Sequence, residues 1–302
     1  MLIDTHAHLY WDSYKDDLDE VIQRSIDAGV TSIINVGVDV QKSELAAKQV
    51  KEKLSKIPNF KSYSTIGIHP HESLKYNSDV SIHRDIEKLE KLYKQSLPSS
   101  NDERQTQPDQ IIAVGECGLD YFFDPEFVPP TLPPEQIKDS QRKLFKAQID
   151  LAKKLNLPLI VHCRDDRSKN PNNSGAWDEV LKMVGTHPAI LHCYSGLSHT
   201  TNYMLQTTNL IVSFAATITY PKNEYLRDEY LRAAAKILPL EKIVLETDCP
   251  FLPPQSRRGQ RNEPSAVLEI AQLIADLKEI SLKEVSTQTT ANVKKIFNIK
   301  VI

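Results

Sequence analysis

Short apolar runs alternate with longer amphipathic stretches along the whole chain. The runs lie near 2–6, 31–37, 62–68, 110–116, 157–162, 189–193, 210–214 and 242–247, eight strand-like segments in all. Between them, apolar positions recur at helical spacing. Asp16 to Ala28 carries Leu18, Val21, Ile22 and Ile26 in this way. Asp79 to Leu97 carries Val80, Ile82, Ile86, Leu89, Leu92 and Tyr93, and Gln136 to Leu155 carries Ile137, Leu144, Phe145, Ile149, Leu151 and Leu155. A shorter helix fits 224–237, and two more, near 263–279 and 281–298, follow the last strand. Eight strand–helix units predict an α/β fold: a (β/α)8 TIM-type barrel, with residues 1–302 as a single domain and two extra C-terminal helices. An open doubly wound sheet is the alternative.

The strand ends separate these two architectures. The first run closes in His6-Ala7-His8, and residues two apart share a face of a strand. Ile111-Ile112-Ala113-Val114-Gly115 ends in Glu116, Leu157 to Val161 in His162, Ala189 to Leu191 in His192, and Lys242 to Thr247 in Asp248. Each residue alone is adequately explained as a helix cap or a histidine satisfied by backbone. Five strands ending in His, Glu or Asp point instead to divalent metal. Only a closed barrel makes the first and last strands neighbours and aims all five at one mouth.

One metal takes three or four protein ligands. Six candidates, His6, His8, Glu116, His162, His192 and Asp248, suit two divalent ions, zinc, magnesium or manganese, with Glu116 as the expected bridge. Such a pair activates water and stabilises a displacement at phosphorus. Asp248 is expected to bind metal and to accept the proton of the attacking water, so Glu116 and Asp248 are the expected catalytic residues. Each of Cys117, Cys163, Cys193 and Cys249 directly follows a proposed ligand. Strand alternation turns them towards the packed layer behind, as small buried hydrophobes.

Composition narrows the setting. Forty per cent hydrophobic residues can fill one large core, and the net charge of −3 gives no basic track for long nucleic acid. No apolar stretch reaches the length of a membrane span, and no leader or lipidation signal is visible. The expected location is the cytoplasm, with the nucleus also open. Three segments are irregular: polar 98–109, Pro-rich 124–134 and polar 165–175. The first belongs at the far end of the barrel; the other two follow strands 4 and 5 and are expected to overhang the mouth as solvated loops or a lid.

The motifs carry a family resemblance. They are Ile3-Asp4-Thr5-His6-Ala7-His8-Leu9, Gly67-Ile68-His69-Pro70-His71, Gly115-Glu116-Cys117-Gly118-Leu119-Asp120-Tyr121 and Val161-His162-Cys163-Arg164-Asp165. Leu191-His192-Cys193-Tyr194-Ser195-Gly196, Glu246-Thr247-Asp248-Cys249-Pro250, Arg258-Gly259 and Asn262-Glu263-Pro264 complete the set. In this order, over nearly the whole chain, they resemble the TatD family of metal-dependent deoxyribonucleases in the amidohydrolase superfamily. The resemblance implies hydrolysis of DNA phosphodiesters, typically 3′→5′ from a strand end, with two divalent metals held by the six residues above. DNA ends are then the expected partner, with no membrane and no identified protein partner.

Around these ligands, His71 is expected to grip phosphate, and His69 is evenly balanced between that and packing. Arg164 shares the face of His162 and is placed to hold a phosphate. Tyr194 offers a ring for stacking on a base, and Arg257 and Arg258 offer a phosphate clamp. Asp120 and Asn262 are expected to organise loops. Two competing functions use the same ligands: an amide or ester hydrolase such as an aminoacyl-tRNA deacylase, and a metal-dependent binding protein without turnover.

Overall fold

The protein is described here by a computed structural model covering residues 1–76, 78–97, 111–124, 126, 131–168, 170, 172–221 and 227–299. The 98–109 insertion and part of 124–134 lie outside the described residues. Eight parallel strands pair in chain order: β1 (Leu2–Ala7), β2 (Val30–Asn35), β3 (Lys61–Ile66), β4 (Ile111–Asp120), β5 (Leu159–Arg164), β6 (Ala189–Leu191), β7 (Leu210–Phe214) and β8 (Ile243–Leu245).

The sheet closes on itself, as the strand ends require. Ala7 bridges Cys249 in parallel. His8 N donates to Cys249 O at 2.9 Å, and Asp248 N donates to His6 O at 2.8 Å. Below this seam the Asp4 carboxylate accepts from Thr247 N at 2.9 Å and from its hydroxyl at 2.6 Å. The fold is therefore the (β/α)8 barrel rather than an open sheet.

Nine helices are present among the described residues: α1 (Leu18–Asp27), α2 (Val40–Glu52), α3 (Asp79–Ser96), α4 (Pro134–Leu155), α5 (Gly175–Val184), α6 (Ser198–Gln206), α7 (Arg227–Ile237), α8 (Val267–Lys278) and α9 (Leu282–Phe297). Three of them, α2, α5 and α6, are additional to the helices expected from the sequence; α5 does carry an apolar stripe, Ala176, Trp177, Val180, Leu181 and Val184. α2 buries only Ser43, Ala46 and Val50, and α6 buries Thr200, Thr201 and Met204, so neither shows a broad apolar stripe.

Two cores result. One apolar layer lies between strands and helices. The other fills the barrel itself: Ile3, Ile34, Tyr63, Ile112, Ile160, Ile190, Ile211 and Val244 come one from each strand, joined by Val293, Phe297 and Ile299 from the C-terminal end. α9 packs against β1 and β8 and brings its apolar end to this inner core. The interior is thus packed solid at one level, and polar ligands occupy the level above it.

Candidate metal centre

Local backbone irregularity sets the ligands in place. The β1–β2 register shifts between Asp4 and Ala7, and the β4–β5 register shifts between Val114 and Cys117. Such irregularities re-aim side chains. They put His6 and Glu116 among the inward-facing groups although simple alternation from Ile3 would turn His6 outward. β5 stays regular, so Ile160, His162 and Arg164 rise along one face from core to mouth. β4 continues past Glu116 to Asp120, so this glutamate sits inside its strand instead of ending it. His192 and Asp248 lie just beyond the shorter strands β6 and β8. Asp248 has φ 57°, a left-handed conformation that aspartate tolerates better than most residues.

All six predicted ligands meet at one place. Three triads each hold their ligand atoms within 4.8 Å: His6–His8–Asp248, His6–Glu116–His192 and His69–Glu116–His162. Glu116 joins two of them. Its Oε2 lies 3.3 Å from His6 Nε2 and 4.0 Å from His8 Nε2. Its Oε1 lies 2.9 Å from His162 Nδ1, 3.4 Å from His69 Nε2 and 3.7 Å from His192 Nε2. Asp248 Oδ1 stands 3.4 Å from His8 Nε2, 3.8 Å from His6 Nε2 and 4.0 Å from His192 Nε2. The Nε2 atoms of His6 and His8 approach to 3.2 Å. Buried imidazole and carboxylate donors converging this closely form a donor set that fits divalent zinc or manganese.

A surrounding layer fixes the imidazoles. His8 Nδ1 lies 2.8 Å from Val36 O, which leaves Nε2 facing the centre. His192 Nδ1 pairs with Glu246 Oε2 at 2.9 Å, and Glu246 Oε1 accepts from Cys193 N at 2.6 Å. Asp120 Oδ2 takes both His162 Nε2 at 3.1 Å and His71 Nε2 at 2.9 Å. Carboxylate–histidine pairs of this kind orient metal ligands and raise their basicity.

Burial and charge compete here. For His162, burial favours the neutral ring, but the bonds to Asp120 and Glu116 outweigh it and push its pKa up to about 9. His192 is likewise opposed by burial yet is raised to about 10 by Glu246 and Glu116. Burial dominates at His69, which falls to about 4, and at His6, which is also lowered. Burial would raise Glu116, but His69, His6 and His192 hold it well below the carboxylate range. Asp248 is lowered too: its bond to His8 and the nearby imidazoles outweigh burial.

The outer candidates separate. His69 stands within the ligand cluster, against Glu116, whereas His71 contacts Asp120. The Arg164 guanidinium lies 3.8 Å from the Phe122 ring centroid, and that of Arg258 lies 4.3 Å from the Tyr220 centroid. Arg257 ends a short helical turn, Gln255–Arg257. Tyr194 corrects the sequence-based expectation. It is 1% exposed, its ring packs on Trp177 and Phe214, and its hydroxyl bonds Thr201, so no base can stack on it. A tyrosine after a ligand reads as exposed only if the chain continues towards solvent; here Tyr194 N donates to Ser213 O and turns the ring back into the core. Asn262 organises a loop as expected, donating to Thr247 O, Phe251 O and Leu252 O. Cys117, Cys163 and Cys249 are buried and Cys193 is partly so; all four are free thiols. Part of the 165–175 segment is bound to the scaffold: Asp165 accepts from Ala176 N, and Arg167 donates to Ser195 O.

Sequence reasoning missed Glu246 and Val36 as supports, and left His69 undecided. Glu246 lies two residues before Asp248, a spacing that alone could have marked it as facing the same mouth.

Comparison with known proteins identifies the family. A family model for TatD related DNase matches residues 3–298. The chain is 33% identical to the uncharacterized metal-dependent hydrolase YabD of Bacillus subtilis (strain 168), over 99% of this chain and 100% of that one. It is 27% identical to the 3′-5′ ssDNA/RNA exonuclease TatD of Erwinia tasmaniensis, over 99% and 100% of the two chains. The crystal structure of YjjV, a TatD homologue from Escherichia coli K12, matches with a TM-score of 0.76 at 23% identity, covering 99% and 98% of the two chains, and supports the fold. With the family model spanning almost every residue and a metal-dependent hydrolase one-third identical over its full length, the chain belongs to the TatD-related DNase family and is a hydrolase.

Proposed function

We propose that this chain is a metal-dependent deoxyribonuclease that removes nucleotides from the 3′ end of DNA, using water activated by two divalent ions. The observation that carries this reading is the placement of Glu116, whose two oxygens face different histidine groups. A carboxylate so placed would offer one oxygen to each of two ions. His6, His8 and Asp248 would hold one ion; His162, His192 and His69, which all face Glu116 Oε1, would hold the other. Held by these residues, divalent ions would supply a water of lowered pKa and positive charge for the attacking and leaving oxygens.

The chain's own residues supply the rest. Asp248 is held as a carboxylate by the imidazoles around it, so it can take the proton of the attacking water. Glu246 and Asp120 keep His192 and His162 in fixed orientations. Arg164 and Arg258, braced on aromatic rings at the mouth, grip phosphates of the incoming strand, with His71 and Arg257 beside them. The name of the Erwinia relative supports action on single strands with 3′-5′ polarity.

The test is a substrate panel with metal-loaded protein: end-labelled single-stranded DNA, an aminoacyl-tRNA and a simple carboxylic ester. Turnover of DNA with stepwise shortening from the 3′ end is expected. Cleavage of the aminoacyl ester with DNA left intact would overturn this reading in favour of a deacylase.

A further inference from the structure

Beside the metal ligands stands a group of aromatic rings that the chemistry above does not use. Phe251 follows Asp248 by three residues, and its backbone N donates to Asp248 O at 2.9 Å, so one tight turn carries both the carboxylate and the ring. Asn262 Nδ2 holds the Phe251 carbonyl at 2.8 Å. Phe251 is 49% exposed; among the described phenylalanine, tyrosine and tryptophan residues only Tyr203, 41% exposed on helix α6, also lies open to solvent.

The surroundings of Phe251 are specific. Its centroid lies 6.2 Å from that of His8. Trp11 meets it nearly edge to face, with centroids 6.0 Å apart at 82°. Tyr10 stacks on Trp11 at 6.0 Å and 25°. The Tyr10 hydroxyl donates to Val36 O, the same carbonyl that holds His8 Nδ1, so the aromatic group is tied to the ligand layer. Lys42 Nζ sits 4.6 Å from the Trp11 centroid, adding a positive charge at the edge of the group.

An exposed ring braced by other rings, next to a cation and against the reacting centre, matches what unpaired bases bind: an aromatic face for the base and a cation for the adjacent phosphate. A base inside a duplex already has both faces covered, so such a ring favours unpaired ends. We propose that Phe251, supported by Trp11, is the platform on which a base at the end of a single-stranded nucleic acid stacks, with Lys42 placed for a neighbouring phosphate. This rests on the nuclease reading and adds a substrate preference to it. It also assigns to Phe251 the stacking role that buried Tyr194 cannot fill.

The test compares two 5′-labelled single strands that differ only in whether the 3′-terminal nucleotide carries its base. Wild-type protein should favour the base-bearing end by roughly 5- to 150-fold in kcat/KM, the range expected for one base stacked on an aromatic side chain. Phe251→Leu, which keeps apolar bulk without a π face, should bring that ratio close to one, mainly through KM. Phe251→Trp should retain it. Metal content measured on each variant confirms that the centre is intact. A wild-type ratio near one, or a Phe251→Leu ratio equal to wild type, overturns the proposal. If neither strand is cut, the nuclease reading fails, and the platform is judged by fluorescence of a 3′-terminal 2-aminopurine. Quenching by wild type but not by Phe251→Leu supports the platform, and equal quenching overturns it.

Discussion

Glu116 is buried and Asp248 partly exposed, and both carboxylates lie within reach of the same imidazoles, yet they should fail differently when changed. Glu116 belongs to two of the three triads, so Glu116→Ala should deplete metal throughout the centre, whereas His8→Ala, in one triad, should weaken one position. Metal analysis on dialysed variants distinguishes the two outcomes. Asp248→Asn keeps the shape but cannot take a proton, and kcat should fall by roughly 10²–10⁴-fold. Glu246→Gln removes the anion behind His192, and metal affinity should drop by about 10–100-fold, read by competition with a chelating dye. The raised pKa values of His162 and His192, about 9 and about 10, set the pH response. Metal requires neutral imidazole, so loading at neutral pH should expel protons, measurable by calorimetry in buffers of different ionisation enthalpy. In chelated protein the sign is that of a raised histidine. The stabilisation is complete below about pH 6.5 and is lost as pH rises through 9 to 10, so the midpoint of thermal unfolding should fall on the alkaline side.

At the level of elements, the strands were legible because each is an apolar run bounded by polar residues, and five of them end near a ligand. The limits came where tertiary context decides. α2 and α6 bury serine, alanine and threonine against neighbouring elements, a face that carries no hydrophobic period. The β1 irregularity that aims His6 inward cannot be read from spacing; alternation placed His6 with His8 correctly, but for the wrong register relative to Ile3. His69 is recognisable as a donor only once the barrel sets it beside Glu116, and Tyr194 was misplaced because its chain turns inward after β6. The seam between β1 and β8 gives an element-scale prediction. Asp4 is fully buried and holds both the amide and the hydroxyl of Thr247. Asp4→Ala leaves those donors unpaired and should cost about 1–3 kcal/mol for each buried donor, seen in chemical denaturation. Because the same seam carries His6 and Asp248, metal affinity should fall with it.

For the whole molecule, the barrel has one solid end and one reactive end. α9 packs against β1 and β8, the inner apolar layer fills the middle, and the candidate ligands lie towards the carboxyl ends of the strands, where Arg164 ends β5 and the segment after β8 carries Phe251 and Arg258. With a net charge of −3, phosphate contacts are expected to be confined to a few side chains at this mouth. The dependence of binding on salt should therefore be shallow, since each neutralised phosphate of a single strand contributes a slope of only about −0.7. A closed circle, which has no end to enter the mouth, should resist cutting. Among the described residues no helix is long and apolar enough to cross a membrane. Hydrolysis at a strand end is expected to be driven by ions held at these residues. The most direct test is a time course on a 5′-labelled single strand with chelated protein, before and after adding back manganese, zinc or magnesium. No cleavage by the chelated protein is expected and, once metal is restored, a ladder that shortens one nucleotide at a time from the 3′ end. Full activity in the chelated protein, or an intact strand after metal has demonstrably bound, would contradict it.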